Sequence, residues 1–340
     1  MFNFLEEANN MANFIIVIDK IELKYFEFND LVTNFWIIQE LLKRNHNVYI
    51  TTIDKLMIRD NKPFALSYKT KIQDTETRKN DLVYEKEILN IDLNKDVDCI
   101  FYRPDPPFDV NYLMATYIFD FVNRNNVKII NDPHAIREFN EKLHVNYFPD
   151  CMPINIVTAS KNEILKFVEE HKKCIIKPLN NCFGQGVYCL CQNDININSI
   201  INSVTNNETT LCMVQKYVES SLMGDKRVLT LGDRVLEYAV NKVPNSNDFK
   251  FSIHNDAHIK PVKLTKEEYE TASNIAKKLN NTGIVMAGLD MIEGKVIEIN
   301  VTSPCYFIRE INNLYNVKLN TILGDYFENI LLDNKVLINN

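Results

Sequence analysis

The segment that most constrains the fold of this chain is Gly288–Pro304, which reads GLDMIEGKVIEINVTSP. Two apolar runs, Ile284–Ile292 and Val296–Val301, flank the pair Glu293-Gly294, where glycine can adopt a positive φ. Apolar runs of this length on both sides of such a pair predict a β-hairpin. Because both runs are strongly apolar, we expect the hairpin to lie inside a packed sheet.

Three side chains on the predicted hairpin carry oxygen. Asp290 lies on the first strand, while Glu298 and Asn300 lie two residues apart on the second and therefore point to the same face. Two carboxylates and an amide form a hard-oxygen set that suits Mg²⁺ or Mn²⁺ and leaves positions for water and phosphate. Solvated residues at strand ends are the alternative. The apolar neighbours Ile297 and Ile299 favour the metal site, because carboxylates in such a strand need a partner.

Composition excludes several classes of protein. The 340 residues carry a net charge of −7, which argues against nucleic acid as a partner. No apolar run is long enough to span a membrane, and the start, MFNFLEEANN, is acidic where a secretory signal would be basic, so we expect a cytoplasmic protein. The eight cysteines show C-x-C at Cys189 and Cys191 but no C-x₂-C, which predicts core residues and not a disulfide scaffold.

The first third of the chain alternates strand and helix patterns. Asn13–Ile18 reads as a strand, Leu31–Arg44 as a helix, and Asn47–Thr52 and Val97–Arg103 as further strands. This βαβ order predicts a parallel sheet covered by helices. Residues 55–95 are charged and predict irregular structure with short β stretches.

A proline-rich loop follows the last of these strands and reads RPDPPFD from Arg103 to Asp109. Open α/β sheets place ligands at the carboxyl ends of their parallel strands. Arg103 and Asp105 are therefore candidates for substrate contact. The alternative is that the prolines only shape a turn.

A second architecture begins after a predicted helix over Pro133–Tyr147. Cys174–Lys177 reads as a strand that leads into a loop with glycines at Gly184 and Gly186. Backbone amides in such a loop can approach polyphosphate oxygens, and Lys177 can supply a countercharge. The loop lacks the G-K-[ST] end of a Walker motif, and an ordinary hairpin turn is the alternative interpretation.

The next stretch carries further candidates for nucleotide contact. Cys212–Tyr217 reads as a strand whose end, Gln215–Val218, can pair an adenine through main-chain groups. Asp225 and Arg227 alternate onto one side of the following strand, where an exposed ion pair is the alternative. Residues 244–262 form a polar connection long enough to serve as a lid.

These motifs, taken in order, resemble the ATP-grasp ligases and, more narrowly, the bacterial glutathione synthetases. The resemblance rests on phrases spread over nearly the whole chain after residue 12: DPPFD at 105–109, ATYI at 115–118, NEKL at 140–143, GDKRVL at 224–229, GLD at 288–290 and EINVTSP at 298–304.

The resemblance implies a parallel N-terminal α/β lobe, residues 1–130, followed by a two-lobed ATP-grasp fold with antiparallel sheets, residues 131–340. It divides the latter at about residue 210 into a central and a C-terminal lobe. It also implies an ATP-dependent ligase for γ-glutamylcysteine and glycine. A substrate carboxylate would take the γ-phosphate of ATP, and an amine would then displace phosphate. Such chemistry needs positioning and charge and no side-chain nucleophile.

The same resemblance implies roles for individual residues. Nucleotide contacts are implied for Lys142, Lys177, Gly184, Gln185, Gly186, Gln215, Lys216, Tyr217, Val218 and Asp225. Metal contacts are implied for Asp290, Glu298 and Asn300; substrate contacts for Arg103, Asp105 and Ser303; and catalytic roles for Arg227, Lys250 and Arg309.

One segment departs from the family pattern. The family carries a glycine-rich lid, R-G-N-L-A-A-G-G, where this chain reads KFSIHNDA from Lys250 to Ala257. Lysine keeps the charge of arginine but loses the planar fork that binds phosphate or carboxylate with two hydrogen bonds. This departure leaves two alternatives open, a ligase with another acyl substrate or amine and a nucleotide-binding module without catalysis. Formation of a homo-oligomer is also left open.

Overall fold

The structure of the protein, a computed structural model, describes residues 11–24, 30–74, 81–243 and 258–338. Across these ranges the strands form three sheets that follow one another along the chain. The fold is an α/β sheet followed by two antiparallel sheets, as predicted from the sequence. None of the helices in the described ranges combines the length and the apolar composition that crossing a membrane requires.

The first sheet has strand order β3-β4-β2-β1-β7-β8 with β5 and β6 paired to β4. Its strands are β1 (Asn13–Ile18), β2 (Asn47–Thr52), β3 (Leu56–Arg59), β4 (Lys62–Gln73), β5 (Asp81–Tyr84), β6 (Leu89–Asp92), β7 (Cys99–Tyr102) and β8 (Lys128–Ile130). The strands β2, β1, β7 and β8 are parallel, so their carboxyl ends lie at one edge.

The region that the sequence predicted to be irregular is more ordered than expected. It contains the 12-residue strand β4, which pairs with four other strands. Within β4, Pro63, Ala65 and Ser67 are buried while the residues between them are partly exposed. This period of two was hidden in the sequence by the charged residues at the ends of the strand.

The second sheet is antiparallel, with order β11-β10-β12-β9. Its strands are β9 (Asn155–Thr158), β10 (Lys173–Pro178), β11 (Tyr188–Cys191) and β12 (Cys212–Lys216). Because β12 pairs with β9 and β10, the second sheet ends at Lys216 and not near residue 210. We therefore propose that the division between the central and C-terminal lobes lies after Lys216.

The third sheet has order β16-β15-β13-β17-β18 with β14 paired to β13. Its strands are β13 (Asp225–Leu231), β14 (Arg234–Val235), β15 (Ala239–Val243), β16 (His258–Val262), β17 (Met286–Ile292) and β18 (Lys295–Asn300). The hairpin predicted from the sequence is β17–β18, with Glu293 and Gly294 at positive φ in its turn. Residues 258–262 of the expected lid form β16, and residues 244–257 lie outside the described residues.

Helices cover the sheets and connect them. They are α1 (Lys20–Lys24), α2 (Thr33–Lys43), α3 (Val110–Ile118), α4 (Pro133–Glu138), α5 (Lys161–His171), α6 (Ile197–Val204), α7 (Lys266–Asn281), α8 (Ile308–Tyr315) and α9 (Leu319–Ile338). The N-cap residue of α7 is Thr265, which forms a capping box with Glu268.

The prediction of one helix over Pro133–Tyr147 was wrong. The helix α4 ends at Glu138 because Phe139 adopts an extended backbone. The side chain of Asn140 then accepts hydrogen bonds from the backbone N–H groups of Lys142 and Leu143 and starts a separate 3₁₀ turn. Residues 139–142 consequently form a bend between α4 and the 3₁₀ turn.

Candidate active site

The centre of the site is the buried carboxylate of Asp290 on β17. Asp290 lies directly opposite Arg227 of β13, whose Nε and Nη2 donate to its two oxygens at 2.6 and 2.9 Å. Lys242 of β15 places its Nζ 3.0 Å from the same Oδ1. Burial alone would raise the pKa of Asp290, but the two cations together hold this pKa below its usual range. Asp290 is therefore an ionised group in the interior.

A second buried carboxylate, Asp225, shares Lys242 with Asp290. The two residues Asp225 and Lys242 lie opposite each other on β13 and β15, with Nζ 3.0 Å from Oδ2. Burial and the neighbouring charge of Asp290 raise the pKa of Asp225 to about 7, although Lys242 opposes this shift. Its other oxygen, Oδ1, is buried and has no hydrogen-bond partner among the described residues. That oxygen remains able to accept a hydrogen bond from a ligand.

Glu298 on β18 faces lysines from the preceding parts of the chain. Lys142, in the bend after α4, places its Nζ 2.8 Å from Oε1 of Glu298 and donates to the backbone of Asn181 at 2.6 Å. Lys177, at the end of β10, donates to the carbonyl of Ile297 at 3.0 Å. Burial lowers the pKa of Lys177 to about 8. Both lysines thus reach from elsewhere in the chain to the strand that carries Glu298.

The three predicted metal ligands come together. Asp290 lies opposite Glu298 across the hairpin, and the amide of Asn300 donates to Oδ2 of Asp290 at 3.1 Å. Among the residues that the structure describes, no cluster of three or more His, Cys, Asp and Glu could hold a metal ion. The set of two carboxylates and one amide fits Mg²⁺, which takes its remaining ligands from water and phosphate, and does not fit a site built from protein alone.

The glycine loop joins β10 and β11 as predicted. Gly184 and Gly186 have φ values of 70° and 72°, in the left-handed region that favours glycine. A Cβ atom at Gly186 would lie only 2.7 Å from Cγ of Pro178. Gln185 forms the turn between them, with its N–H donating to the carbonyl of Cys182 at 3.1 Å. The loop is held close to the strand that carries Lys177.

Unsatisfied polar atoms occur in the segment that runs from the last strand of the second sheet to the first strand of the third, residues 215–225. Within the described ranges, the buried side-chain atoms without a hydrogen-bond partner are Nε2 of Gln215, Oγ of Ser220 and Ser221, and Oδ1 of Asp225. Such atoms are rare in folded proteins and call for a ligand or water. The segment also contains Lys216, which is exposed, Tyr217, whose buried ring lies 3.6 Å from Nζ of Lys173, and Val218. A polar ligand here would meet groups that the protein leaves unpaired.

The predicted substrate contacts lie at the carboxyl edge of the first sheet. Arg103 is fully buried and donates to Asn34 and, at 3.0 Å, to the carbonyl of Pro304. Asp105 accepts a hydrogen bond from Ser303, and its N–H donates to Asp19 at 2.7 Å. Burial, reinforced by the charge of Asp19, raises the pKa of Asp105 to about 7. Arg103 is thus held by protein groups, while Asp105 and Ser303 are joined to each other.

Of the two remaining predicted catalytic residues, Arg309 is not brought to Asp290. Arg309 is 40% exposed and pairs with Asp30 at 3.4 Å and with Glu310 at 2.8 Å, so its guanidinium faces the surface in this arrangement. Lys250 lies outside the described residues. Catalytic roles for both stay predictions.

Sequence reasoning missed three residues that shape the site. No local pattern points to Lys242, because the partner of its strand cannot be deduced from the sequence. Glu141 accepts hydrogen bonds from the backbone of Val301 and Thr302 at 2.7 and 2.9 Å and so positions the residues before Ser303. Its place beside Lys142 in the NEKL phrase was the available signal.

The third missed residue, Asn131, follows β8 and ties the first sheet to the third. Its Nδ2 donates to the carbonyls of Met286 and Val301, both at 2.7 Å. Its Oδ1 accepts from the backbone N–H groups of Val285 and Met286 at 2.8 and 2.7 Å. A single amide thus fixes the start of the hairpin relative to the N-terminal lobe.

Comparison with known proteins places this arrangement in a family. The model of the prokaryotic glutathione synthetase N-terminal domain matches residues 13–137, and the model of the ATP-grasp domain of the same enzyme matches residues 141–316. The chain belongs to the prokaryotic glutathione synthetase family. It is an ATP-grasp ligase, with ATP as its co-substrate.

Individual relatives agree with this assignment. The chain is 32% identical over 299 residues to the glutathione synthetase of Wigglesworthia glossinidia brevipalpis, covering 88% of this chain and 93% of that protein. It is 34% identical over 233 residues to the enzyme of Vibrio cholerae, covering 68% and 73%. The coverage shows that the likeness to glutathione synthetases includes both the N-terminal and the ATP-grasp parts.

Solved structures share the fold at much lower identity. D-cycloserine synthetase DcsG has a TM-score of 0.64 at 11% identity, covering 94% of this chain and all of that one. D-alanyl-alanine synthetase A from Vibrio cholerae has a TM-score of 0.59 at 12% identity, covering 95% and 99%. These likenesses confirm the fold class.

Proposed function

We propose that this ligase joins γ-glutamylcysteine to glycine with ATP and thereby forms glutathione. The observation that carries the proposal is the convergence of Asp290, Glu298, Arg227, Lys142 and Lys177 at the junction of the two ATP-grasp sheets. Family membership supports the substrate pair. The cationic side chains are of the kind that phosphoryl transfer requires.

In the proposed reaction the cations act on the phosphates. Lys142 and Lys177 would bind phosphate oxygens, and Arg227, fixed by Asp290, would offer its remaining N–H groups to charge that develops on the transferred phosphoryl group. Burial holds all three side chains in the site before ligand binds.

Asp290, Glu298 and Asn300 are the residues that would hold Mg²⁺ or Mn²⁺. Bound there, the metal would neutralise phosphate charge and orient the nucleotide. The unpaired atoms of Gln215, Ser220 and Asp225 support a nucleotide site where the second sheet leads into the third.

The acyl substrate would lie towards the N-terminal lobe. Asp105 and Ser303, joined by a hydrogen bond, border that side of the site, and Glu141 holds the backbone before Ser303 in place. The acceptor amine must lose a proton as it attacks the acyl phosphate. Asp105, with a pKa of about 7, is a group on this side that can take a proton near neutral pH.

The test is to incubate purified protein with Mg²⁺, ATP, γ-glutamylcysteine and glycine, and to identify the product by mass spectrometry. We expect glutathione, ADP and phosphate in equal amounts. If ADP is released only with another amine, that amine replaces glycine in the proposal. ATP binding without any ADP release would refute ligase activity. The cytoplasmic location stays a prediction.

A further inference from the structure

The carboxylate of Asp290 is saturated by protein donors before any ligand arrives. Its Oδ1 accepts from Arg227 and Lys242, and its Oδ2 accepts from Arg227 and Asn300. A divalent cation cannot bind these oxygens while all four donors remain in place. At least one donor must therefore leave when the metal enters.

Of the two cationic donors, the geometry identifies the one that can leave. Arg227 binds Asp290 through two nitrogens and donates a third hydrogen bond to the carbonyl of Cys305 at 3.1 Å. It also packs closely on Gly288, where an added Cβ atom would lie 3.0 Å from its Cδ. Lys242 makes a single contact to Asp290 and keeps a second carboxylate, Asp225, at 3.0 Å. Lys242 can thus release Asp290 without losing its only partner.

A divalent cation without nucleotide does not favour replacement of Lys242 at Asp290. It would leave the ammonium of Lys242, which is 5% exposed, next to a new double positive charge in a buried site. Nucleotide phosphates remove the conflict because they bring negative charge that the displaced ammonium can bind. Lys142 holds Glu298 in the same manner, at 2.8 Å.

We infer that Lys242 is a counter-ion that closes Asp290 to a free divalent cation, so that the metal enters only together with nucleotide phosphates. Lys242 is a positioning residue in this account. The inference rests on the proposed metal ligands and is independent of which acyl substrate and amine the ligase joins.

The test measures Mn²⁺ binding without nucleotide, using the electron paramagnetic resonance signal of free Mn²⁺. The wild-type protein should bind Mn²⁺ weakly alone and tightly with a non-hydrolysable ATP analogue. Lys242→Met should bind Mn²⁺ alone about tenfold more tightly or better, because one positive charge has left the site. This gain should vanish when Asp290→Asn is added.

The matched control is Lys226→Met. Lys226 precedes Arg227 on β13, points to the opposite face of the sheet, and pairs with Glu268 at 2.6 Å. This variant loses a Lys–carboxylate pair away from the site, so its Mn²⁺ affinity should equal that of the wild type.

A second variant covers the case in which Lys242→Met does not fold because Asp225 is left buried and unpaired. The double variant Asp225→Asn/Lys242→Met removes both charges and should show the same gain in Mn²⁺ affinity. Wild-type affinity in both variants, or a gain that survives Asp290→Asn, would overturn the inference. Absence of glutathione synthesis in the product assay would refute the proposed substrates alone.

Discussion

Asp290 is buried, yet it stays ionised because Arg227 and Lys242 supply two positive charges to its carboxylate. Any one of these three charges would be costly to bury without its partners. Charges at the site are therefore conditional on one another. Replacing a single residue changes the state of its neighbours as well as its own contacts.

Replacing Arg227 by lysine tests this dependence. Lysine keeps the charge but cannot bind both oxygens of Asp290 or present the planar fork, so Arg227→Lys should fold and lose about 100-fold in kcat. Steady-state kinetics and thermal unfolding measure the two effects. Lys226→Arg, which changes the cation on the opposite face and keeps Glu268 as partner, is the control and should keep full activity. Equal activities in both variants would argue against a role for the fork.

Glu22, near the carboxyl edge of the first sheet, gives a prediction about pH. Burial, reinforced by the charge of Asp105, raises the pKa of Glu22 from an ordinary 4.5 to about 8. The folded protein therefore binds this proton more tightly than the unfolded chain. The contribution of Glu22 to the free energy of unfolding is largest at low pH and declines as pH rises from 4.5 to about 8.

Glu22→Gln should remove this decline, because glutamine stays neutral and can still accept the hydrogen bond from Asn34. We expect the variant to be more stable than the wild type by about 5 kcal/mol above pH 8 and similar to it near pH 5. Urea unfolding across this pH range measures the difference. Glu270→Gln, at an exposed position of α7, should follow the wild-type curve. A constant difference between Glu22→Gln and wild type at every pH would contradict the assignment.

Among the secondary-structure elements, those with a clear period could be predicted from the sequence. The strands β1 and β2 and the hairpin β17–β18 were found because apolar residues and turn residues specify them locally. The strand β4 and the end of α4 were missed, since the first is masked by charged ends and the second depends on the side chain of Asn140.

The candidate site divides in the same way. Asp290, Glu298 and Asn300 share a face of one hairpin, so local alternation was enough to bring them together. Lys242 belongs to a strand whose pairing with β13 is a property of the whole sheet, and no local pattern reveals that its ammonium meets Asp290. Partners from distant elements are what sequence patterns leave undetermined.

The glycine loop between β10 and β11 gives a prediction about an element. Gly186→Ala combines a left-handed backbone with a Cβ atom only 2.7 Å from Pro178, so the loop must move. We expect the Kd for ATP to rise about tenfold, with about 1–2 kcal/mol lost in the free energy of unfolding. Isothermal titration and urea unfolding measure the two quantities.

The control for the loop is Gly294→Ala in the turn of β17–β18. Gly294 has nearly the same φ, +73°, but its nearest neighbour would be 3.9 Å from the new Cβ. Its stability should fall through backbone strain alone while ATP affinity stays unchanged. If both variants bound ATP equally well, the position of the loop would not matter for nucleotide binding.

In the whole molecule, the hydrophobic cores do not follow the order of the lobes along the sequence. One core joins the N-terminal sheet, α2 and α9 with strands of the third sheet, and it includes Phe101 and Phe327 with ring centroids 4.7 Å apart. The second sheet, with α5 and α6, has a separate core that contains Ile176. The N-terminal and third sheets thus share one core, two further cores also involve these sheets, and the second sheet has its own.

Separate cores predict two unfolding units. Phe101→Ala should destabilise the N-terminal and C-terminal lobes together by about 3–5 kcal/mol and leave the central lobe unaffected. Ile176→Ala should destabilise the central lobe alone by about 2–5 kcal/mol. Hydrogen exchange followed by mass spectrometry assigns each loss to its peptides.

Nucleotide should couple the two units, because Lys177 from the central lobe and Asp290 from the third sheet belong to the same site. With an ATP analogue and Mg²⁺ bound, opening of either unit releases the ligand, so exchange should slow in both. Each variant should then weaken protection across the whole site. The two-unit account would be contradicted if, without nucleotide, Phe101→Ala and Ile176→Ala each reduced protection from hydrogen exchange equally in all lobes. That result would show a single cooperative unit.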